Sequence, residues 1–477
     1  MCQPNDVDHD MAPSWLSNKV SEAEHQEEQL QSTVMLPVTL PTQGDGSLYS
    51  LDAVEGAEQD ILLEVMNKVC EWIHYANPDN KIKSALWRPF QPMRLTVIGA
   101  AGTGKSVLVN TIVTAIQSLF NHNDAVLVAA PTGAAAHNVG GTTIHRMFGI
   151  NIWKADKEPS QGVSKRMASM LRSTVALIVD ECSMISQPVL GAAEKHAAMT
   201  AHGGGHAQED WGGIPIVILV GDDFQLPPTQ SDGAFQVVNT LPSKSEQNIG
   251  AKANGCRQFL HFSTHVMKLT IIKRQHEAQR EYKDILTNTA IDKVTEQQAK
   301  KLTSLHMHNF SASDQQKILS KDTMYLFANK QPMQEHNLEQ LVKEASDDNP
   351  VALIKSIPSP ACSRTRVVAH HFDNDSTPTA TTICRNARVQ LCCRNFNPNW
   401  GLYNGALGRV KKIVYKEGEN PNQGHLPQYV TVEFDSYNEK LNPIWSKTQP
   451  KVNNKSNTTF LIVCNTDRHI TNHQTIS

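Results

Sequence analysis

No stretch of this 477-residue chain approaches the roughly 18 consecutive apolar residues that a membrane-spanning helix needs. Its acidic beginning has neither the layout of a secretory signal nor the Arg-rich pattern of a transit peptide, so an intracellular protein without a membrane partner is expected. Cysteine occurs nine times, an odd number without a repeated short spacing, which excludes a disulfide framework and makes reduced thiols the expectation. Cys384, Cys392 and Cys393 cluster, but the adjacent pair in the apolar run VQLCC fits strand positions better than zinc ligation. The glycines between His202 and His206 argue for a loop and against a helical metal pair. There is no internal repeat. Basic residues are nearly missing from residues 1–60, which hold 12 Asp or Glu and one Lys; removing that −11 from the net charge of −3 leaves the other 417 residues at +8. A basic body behind an acidic arm suits a nucleic-acid partner, although a disordered leader explains the arm equally well.

What the chain does contain is a series of phosphate-handling motifs. Residues 95–106 read LTVIGAAGTGKS, an apolar strand leading into G-x-x-x-x-G-K-[ST]. Gly99, Gly102 and Gly104 let the backbone curl, so that successive N–H groups along Gly99, Ala100, Ala101, Gly102, Thr103 and Gly104 turn inward toward phosphate oxygens. The following helix adds its positive end. Lys105 then reaches the β- and γ-phosphates of a nucleoside triphosphate such as ATP, and the Ser106 hydroxyl ligates a bridging Mg²⁺ ion. Both flanks agree: Leu95, Val97 and Ile98 are β-rich, while Val107, Leu108, Ile112, Val113 and Ile116 repeat at helical spacing.

Two further strands deliver polar groups at their ends. VALIVDECSM at 175–184 ends in Asp180 and Glu181, placed to hold the Mg²⁺ side of the site and to polarise the attacking water as general base, respectively. IVILVGDDFQLPP at 216–228 offers Gln225, which can hydrogen-bond a γ-phosphate or that water.

Residues 1–50 are polar and interrupted by Pro and Gly, and read as a disordered tail. Ile61, Leu62, Val65, Met66, Val69 and Ile73 share one helical face over 55–74. Strand-like segments at 95–98, 125–129, 175–179 and 214–220 alternate with helical stretches, predicting a parallel sheet with covering helices over a domain spanning 51–268. Segments 154–166 and 200–213 read as surface loops. A second α/β region is expected over 269–380, with a polar helical stretch at 277–305, a strand at 323–327 and a helix through Leu338 and Leu341. The short β-rich runs ARVQLCC, GALGRVKKIVY and QYVTVEFD predict a small barrel or sheet over 381–440, followed by an irregular tail at 441–477.

Taken in order, GAAGTGKS, APTGAAAHNVGGTTIHRMF (130–148), DECSM, GDDFQLPP and LTIIKRQ (269–275) resemble the PIF-type branch of superfamily 1 DNA helicases, and more distantly the RecD and Dda enzymes. The resemblance runs from about Leu51 to Phe434. It implies an α/β fold of tandem RecA-like P-loop domains that sandwich ATP, with a small SH3-like β-barrel inserted in the second. It further implies a monomeric motor that steps 5′ to 3′ on single-stranded DNA and acts at DNA junctions, with roles in repair, recombination and telomere maintenance. A nuclear location follows from that substrate, with the mitochondrion as alternative.

By the same resemblance Gln59 reads adenine, Gln225 senses the γ-phosphate, and Arg274 reaches that phosphate from the second domain. Thr132, Gly133, Thr143 and His145 fall in the segment that lines the single-strand channel, where backbone contact without base readout suits movement over any sequence. Phe148 suits base stacking or core packing. Residues 381–416 hold seven Arg or Lys, no acid, and Phe396, Trp400 and Tyr403, which fits either a base-stacking surface or the barrel itself. Asn329 matches a family position in the second domain. The family's later segments, close to TIHKSQG and VALSR, are not found before Ser477. Strongly reduced unwinding, or a motor-inactive ATP- and DNA-binding paralogue, is the corresponding alternative expectation.

Overall fold

The computed structural model describes residues 54–76, 90–151, 154–200, 210–228, 250–275, 277–319, 323–355, 380–392, 401–419, 423–437 and 459–463. The acidic segment 1–50, together with His202, His206, Cys393, Phe396 and Trp400, lies outside them. The chain divides into two compact units, Met1–Leu286 and Thr287–Ser477.

The first unit is built on one sheet. Its strands are β1 (Met93–Gly99), β2 (Val126–Ala130), β3 (Thr142–Thr143), β4 (Ala176–Val179), β5 (Ile216–Gly221) and β6 (Val266–Leu269), in the spatial order β3-β2-β4-β5-β1-β6. Every pairing is parallel. The strands read as unbroken apolar runs because both faces are covered. Along β5, Ile216, Ile218 and Val220 join one core cluster while Val217 and Leu219 join the other, and β2 and β4 alternate in the same way. Helix α1 (Ala57–Ala76) and helix α2 (Lys105–Phe120) close the first face, burying Ile61, Leu62, Val65, Val69 and Ile73 from α1 and Leu108, Ile112 and Ile116 from α2.

Helix α3 (Gly133–Asn138) follows β2. The second face is covered by α4 (Ile144–Phe148), α5 (Gln161–Leu171), α6 (Gln187–Thr200) and α7 (Ala251–Phe262). Of the loop expected at 154–166, residues 154–160 are in no helix or strand, whereas helix α5 takes up 161–166 and corrects the reading there. The sequence there is polar, but Met167 and Leu171 stand one turn apart and are buried, so packing overrides composition. The expected loop at 200–213 is likewise corrected at its described end, where Trp211 is wholly buried and meets the rings of Phe148 and Phe262 edge-on at 6.3 and 6.1 Å. Phe148 is therefore core and not a base-stacking residue.

Around Trp211 lies a buried polar network. Glu194 accepts from the Trp211 backbone N–H at 3.2 Å and from Asn254, while Trp211 Nε1 donates to Gln258 at 3.0 Å. Burial pushes the Glu194 carboxyl up from its ordinary 4.5, against the two donors. An acid with a raised folded-state pKa holds its proton more tightly when folded, so its stabilising contribution is present at low pH and is lost as pH rises from 4.5 through the raised value. Glu194→Gln cannot titrate. Its melting temperature relative to wild type should therefore improve between the acid side of that window and neutrality, and a pH-independent difference would contradict the assignment.

The first unit continues through β6 and helix α8 (Arg280–Ala290) as far as Leu286, beyond the boundary at 268 read from the sequence. Leu269, read as the start of the second region, instead ends β6, which pairs with β1 at the sheet edge.

The second unit holds α9 (Glu296–Ser304), α10 (Ala312–Ile318) and α11 (Lys330–Glu344), none with a buried residue. The helical stretch expected at 277–305 is broken near Asp292, which adopts a left-handed φ of 54°. Residues 323–327 form no strand, and Met324 and Leu326 are exposed. A second RecA-like parallel sheet is not seen among the described residues. What is seen is an antiparallel pair, β7 (Ala352–Lys355) and β8 (Ala380–Ile383), and a four-stranded antiparallel sheet. The latter comprises β9 (Arg388–Gln390), β10 (Leu407–Val414), β11 (Tyr429–Phe434) and β12 (Thr459–Val463). This sheet stands where the small barrel was expected, and β12 corrects the irregular reading at 459–463, the described part of 441–477.

Candidate nucleotide-binding site

In the strand order, β4, β5 and β1 are neighbours, so the segments leaving their carboxyl ends are brought together although they are far apart in sequence. That edge of an open parallel sheet is where such folds bind ligands. Three of the motifs leave from it.

The first is the loop after β1. Gly102 and Gly104 have φ of 85° and 91°, left-handed values that suit glycine, and Gly104 caps the start of α2. Thr103 ties the loop by donating its hydroxyl to the Ala100 carbonyl at 2.9 Å. Lys105 is only 8% exposed, and its ammonium donates to the carbonyls of Gly99 at 2.6 Å and Ala100 at 3.1 Å. Ala101 and Ser106 are exposed, Ser106 in the first turn of α2.

The second is the turn after β4. Asp180 is buried, with its backbone N–H on the Ala129 carbonyl. Desolvation, reinforced by Glu181 and opposed by the Glu181 backbone N–H and Lys105, raises its carboxyl to about 6. Glu181 carries two marks of a functional residue. Its φ of 51° is left-handed, and its Oε2 is buried without a hydrogen-bond partner.

The third is the turn after β5. A Cβ on Gly221 would stand 2.6 Å from the Cys182 sulfur, so the ends of β4 and β5 interlock only because residue 221 is glycine. Asp222 accepts from the Phe224 N–H at 3.0 Å, and the Gln225 N–H donates to the Asp222 carbonyl at 3.1 Å, which fixes the turn that carries Gln225. Burial and the Asp222 charge push the Asp223 carboxyl up, with Lys268 opposing.

Two neighbours of this site were not read from the sequence. Gln59 is exposed on the first turn of α1, whereas the preceding residue, Glu58, is buried with its carboxylate against Gly104. Lys273 forms an ion pair with Glu58 at 2.8 Å and, with Arg274, donates its backbone N–H to the Gly102 carbonyl. Adjacency to Gln59 and Arg274 was the available signal. Arg274 is exposed and sits against the phosphate loop of its own compact unit, which corrects the expectation that it arrives from the second domain.

A nucleotide-magnesium complex fits this arrangement by three observations: the left-handed glycine cradle, the buried Asp180 carboxylate, and the unpartnered Glu181 oxygen aimed at no protein donor. Among the described residues no three His, Cys, Asp or Glu side chains cluster as a self-contained metal site. A magnesium ion would therefore take phosphate and water oxygens beside Ser106 and Asp180.

The four candidate DNA residues lie at the ends of β2 and β3. Thr132 caps α3 by accepting from the Ala135 N–H at 3.2 Å, and Gly133 is buried. Thr143 is buried and paired with Ala130. His145 is half-buried, and desolvation lowers its pKa, favouring the neutral ring. Part of the polarity read as facing DNA is thus spent inside the protein. In the second unit, Arg388 pairs with Asp435 and Lys411 with Glu433, while Tyr403 packs on the core of that sheet, so part of the basic stretch 381–416 builds structure. Cys384 is buried there, Cys392 is exposed just past β9, and Asn329 caps α11.

Residues 83–298 match the family model for PIF1-like helicases. The chain is 37% identical over 145 residues to the ATP-dependent DNA helicase RRM3 of Saccharomyces cerevisiae, covering 29% of this chain and 19% of that one. Over 330 residues it is 28% identical to the ATP-dependent DNA helicase PIF1 of Xenopus laevis, covering 67% of this chain and 44% of the relative. It thus spans less than half the length of these relatives. The Pif1 helicase structure from Candida albicans shares the fold, with a TM-score of 0.51 at 21% identity over 80% of this chain and 75% of that one. Motif order and these similarities mark residues 83–298 as a PIF1-like helicase domain, a little under half of the chain.

Proposed function

We propose that the chain is an ATP-dependent DNA helicase or translocase that couples Mg²⁺-ATP hydrolysis to 5′-to-3′ movement on single-stranded DNA. The observation carrying this reading is the convergence of Lys105, Asp180, Glu181 and Gln225 at one sheet edge. The similarity to proteins named ATP-dependent DNA helicases supports DNA as the partner. Bound Mg²⁺-ATP would supply the phosphoryl group whose transfer to water releases the free energy for movement.

The chain's own residues have distinct tasks. The loop 99–104 presents backbone N–H groups to phosphate, and Lys105 adds a buried ammonium. Ser106 and Asp180 would hold the divalent ion. Glu181 accepts the proton of the attacking water, and Gln225 orients it. Gln59 reads the base, and Thr132, Gly133, Thr143 and His145 belong to the DNA side. Action as a monomer at single strands and junctions, in the nucleus or the mitochondrion, with roles in repair, recombination and telomere maintenance, completes the proposal.

Steady-state ATP hydrolysis with and without single-stranded DNA tests it, followed by unwinding of duplexes with a 5′ or a 3′ tail. Strong stimulation by DNA and a preference for 5′ tails are expected. ATP binding without stimulated turnover would favour instead a motor-inactive ATP- and DNA-binding paralogue. Arg274→Ala is expected to lower kcat by roughly 10- to 100-fold with a smaller change in ATP affinity, because on this reading its guanidinium meets charge that develops in the transition state. Equal loss of binding and turnover would remove Arg274 from that role.

A further inference from the structure

The two left-handed glycines of the phosphate loop are each covered by a different segment, and those segments are joined by an ion pair. Over Gly104 lies the Glu58 carboxylate, close enough that a Cβ on Gly104 would stand 2.5 Å from Oε1. Over Gly102 lie residues 273 and 274: both backbone N–H groups donate to its carbonyl, at 2.7 and 3.2 Å, and a Cβ there would stand 2.7 Å from the Arg274 Cβ. The Lys273 ammonium meets Glu58 Oε1 at 2.8 Å, with the carboxylate side chain 6% exposed and the lysine 37%. Lys283 adds a contact from α8 to the Ile272 carbonyl at 3.3 Å. We propose that Glu58 and Lys273 are positioning residues, a latch that fixes the 271–274 segment on the phosphate loop and so sets where Arg274 stands.

The physical case has three parts. Burying a carboxylate costs desolvation energy that a paired cation offsets, and Lys273 is the cation that the structure places on Glu58. Segment 270–275 has no strand or helix of its own, so the two hydrogen bonds to Gly102, the Lys283 contact to Ile272 and the latch share the task of restraining it. Glu58 lies in the first turn of α1, one residue before Gln59, so the same contact ties the helix that carries the proposed adenine reader to the segment that carries Arg274. Base recognition and the arginine are thereby registered on one loop. This inference rests on the reading of the site as an ATPase.

The test compares the full chain with Glu58→Gln, Lys273→Met and the double variant. Measurements are kcat and KM for ATP, and affinity for a fluorescent ATP analogue. Lys273 is partly exposed, so Lys273→Met should fold, and melting temperature confirms it. Each single variant is expected to lose about 10- to 100-fold in kcat, the cost of a misplaced catalytic group. The double should be no worse than the poorer single, because the pair acts as a unit. Singles within twofold of an active wild type, or losses that multiply in the double, would overturn the latch while leaving the ATPase reading in place. A wild type that neither binds nor hydrolyses ATP would overturn both.

Discussion

Lys105→Ala is expected to lower ATP hydrolysis by roughly 10²- to 10³-fold or more while leaving single-stranded DNA affinity within a fewfold of wild type. The first half follows from position. The ammonium is held inside the loop by the carbonyls of Gly99 and Ala100, buried at the start of α2, where a phosphate chain would receive it in place of water. In such a low-dielectric setting a fixed positive charge acts more strongly on developing phosphoryl charge than it would at the surface. Alanine leaves the cradle's N–H groups in place but removes that charge, so binding weakens and turnover collapses. The second half follows from burial: at 8% exposure Lys105 offers no surface to a nucleic-acid strand. Steady-state hydrolysis and fluorescence anisotropy with a labelled oligonucleotide check the two halves separately. Turnover within threefold of wild type would remove the loop from the reaction, and a parallel loss of DNA affinity would show that the variant has disturbed more than the phosphate site.

Glu181→Gln is expected to separate binding from chemistry. Loss of a general base costs about 10²- to 10⁴-fold in rate, whereas the amide keeps the size and shape of the side chain. Glu181 holds a left-handed backbone conformation that a non-glycine residue adopts at a cost, and it keeps one carboxylate oxygen buried without a donor. Neither feature helps folding. Both are accounted for if the oxygen is kept available to take a proton from water. ATP affinity should stay within about threefold of wild type, measured with a fluorescent analogue, while single-turnover hydrolysis falls by the full factor. An equal fall in affinity would instead mark Glu181 as a binding group. Asp180 provides the contrast: its backbone N–H is tied to β2, and its side chain sits beside Lys105 in a buried setting suited to holding a cation.

Most of the first unit was legible in the sequence because its signals are local. Apolar runs of strand length, a glycine-rich turn and a helix repeat each depend on residues within a few positions of one another, and β1, β2, β4, β5 and α1 formed where those patterns lay. The misreadings share one cause. Helix α5 and Trp211 lie in polar or glycine-rich stretches whose few apolar residues become decisive only once α6 and α7 provide a surface. Conversely, residues 323–327 carry a strand composition but pair with nothing among the described residues. A strand is a property of two segments, and composition reports on one.

The same division holds for the candidate site. Contiguous residues were enough to single out the candidate side chains, since a phosphate loop, a strand-end carboxylate pair and GDDFQLPP are each complete within a short stretch. How they meet depends on long-range packing. It set β4, β5 and β1 side by side, let Gly221 admit Cys182, turned Glu58 rather than Gln59 onto the loop, and laid Lys273 and Arg274 over Gly102 from within the first unit. These contacts join segments separated by tens to hundreds of residues. Their partners are chosen by strand order and by close backbone approach, neither of which leaves a periodic mark in the chain.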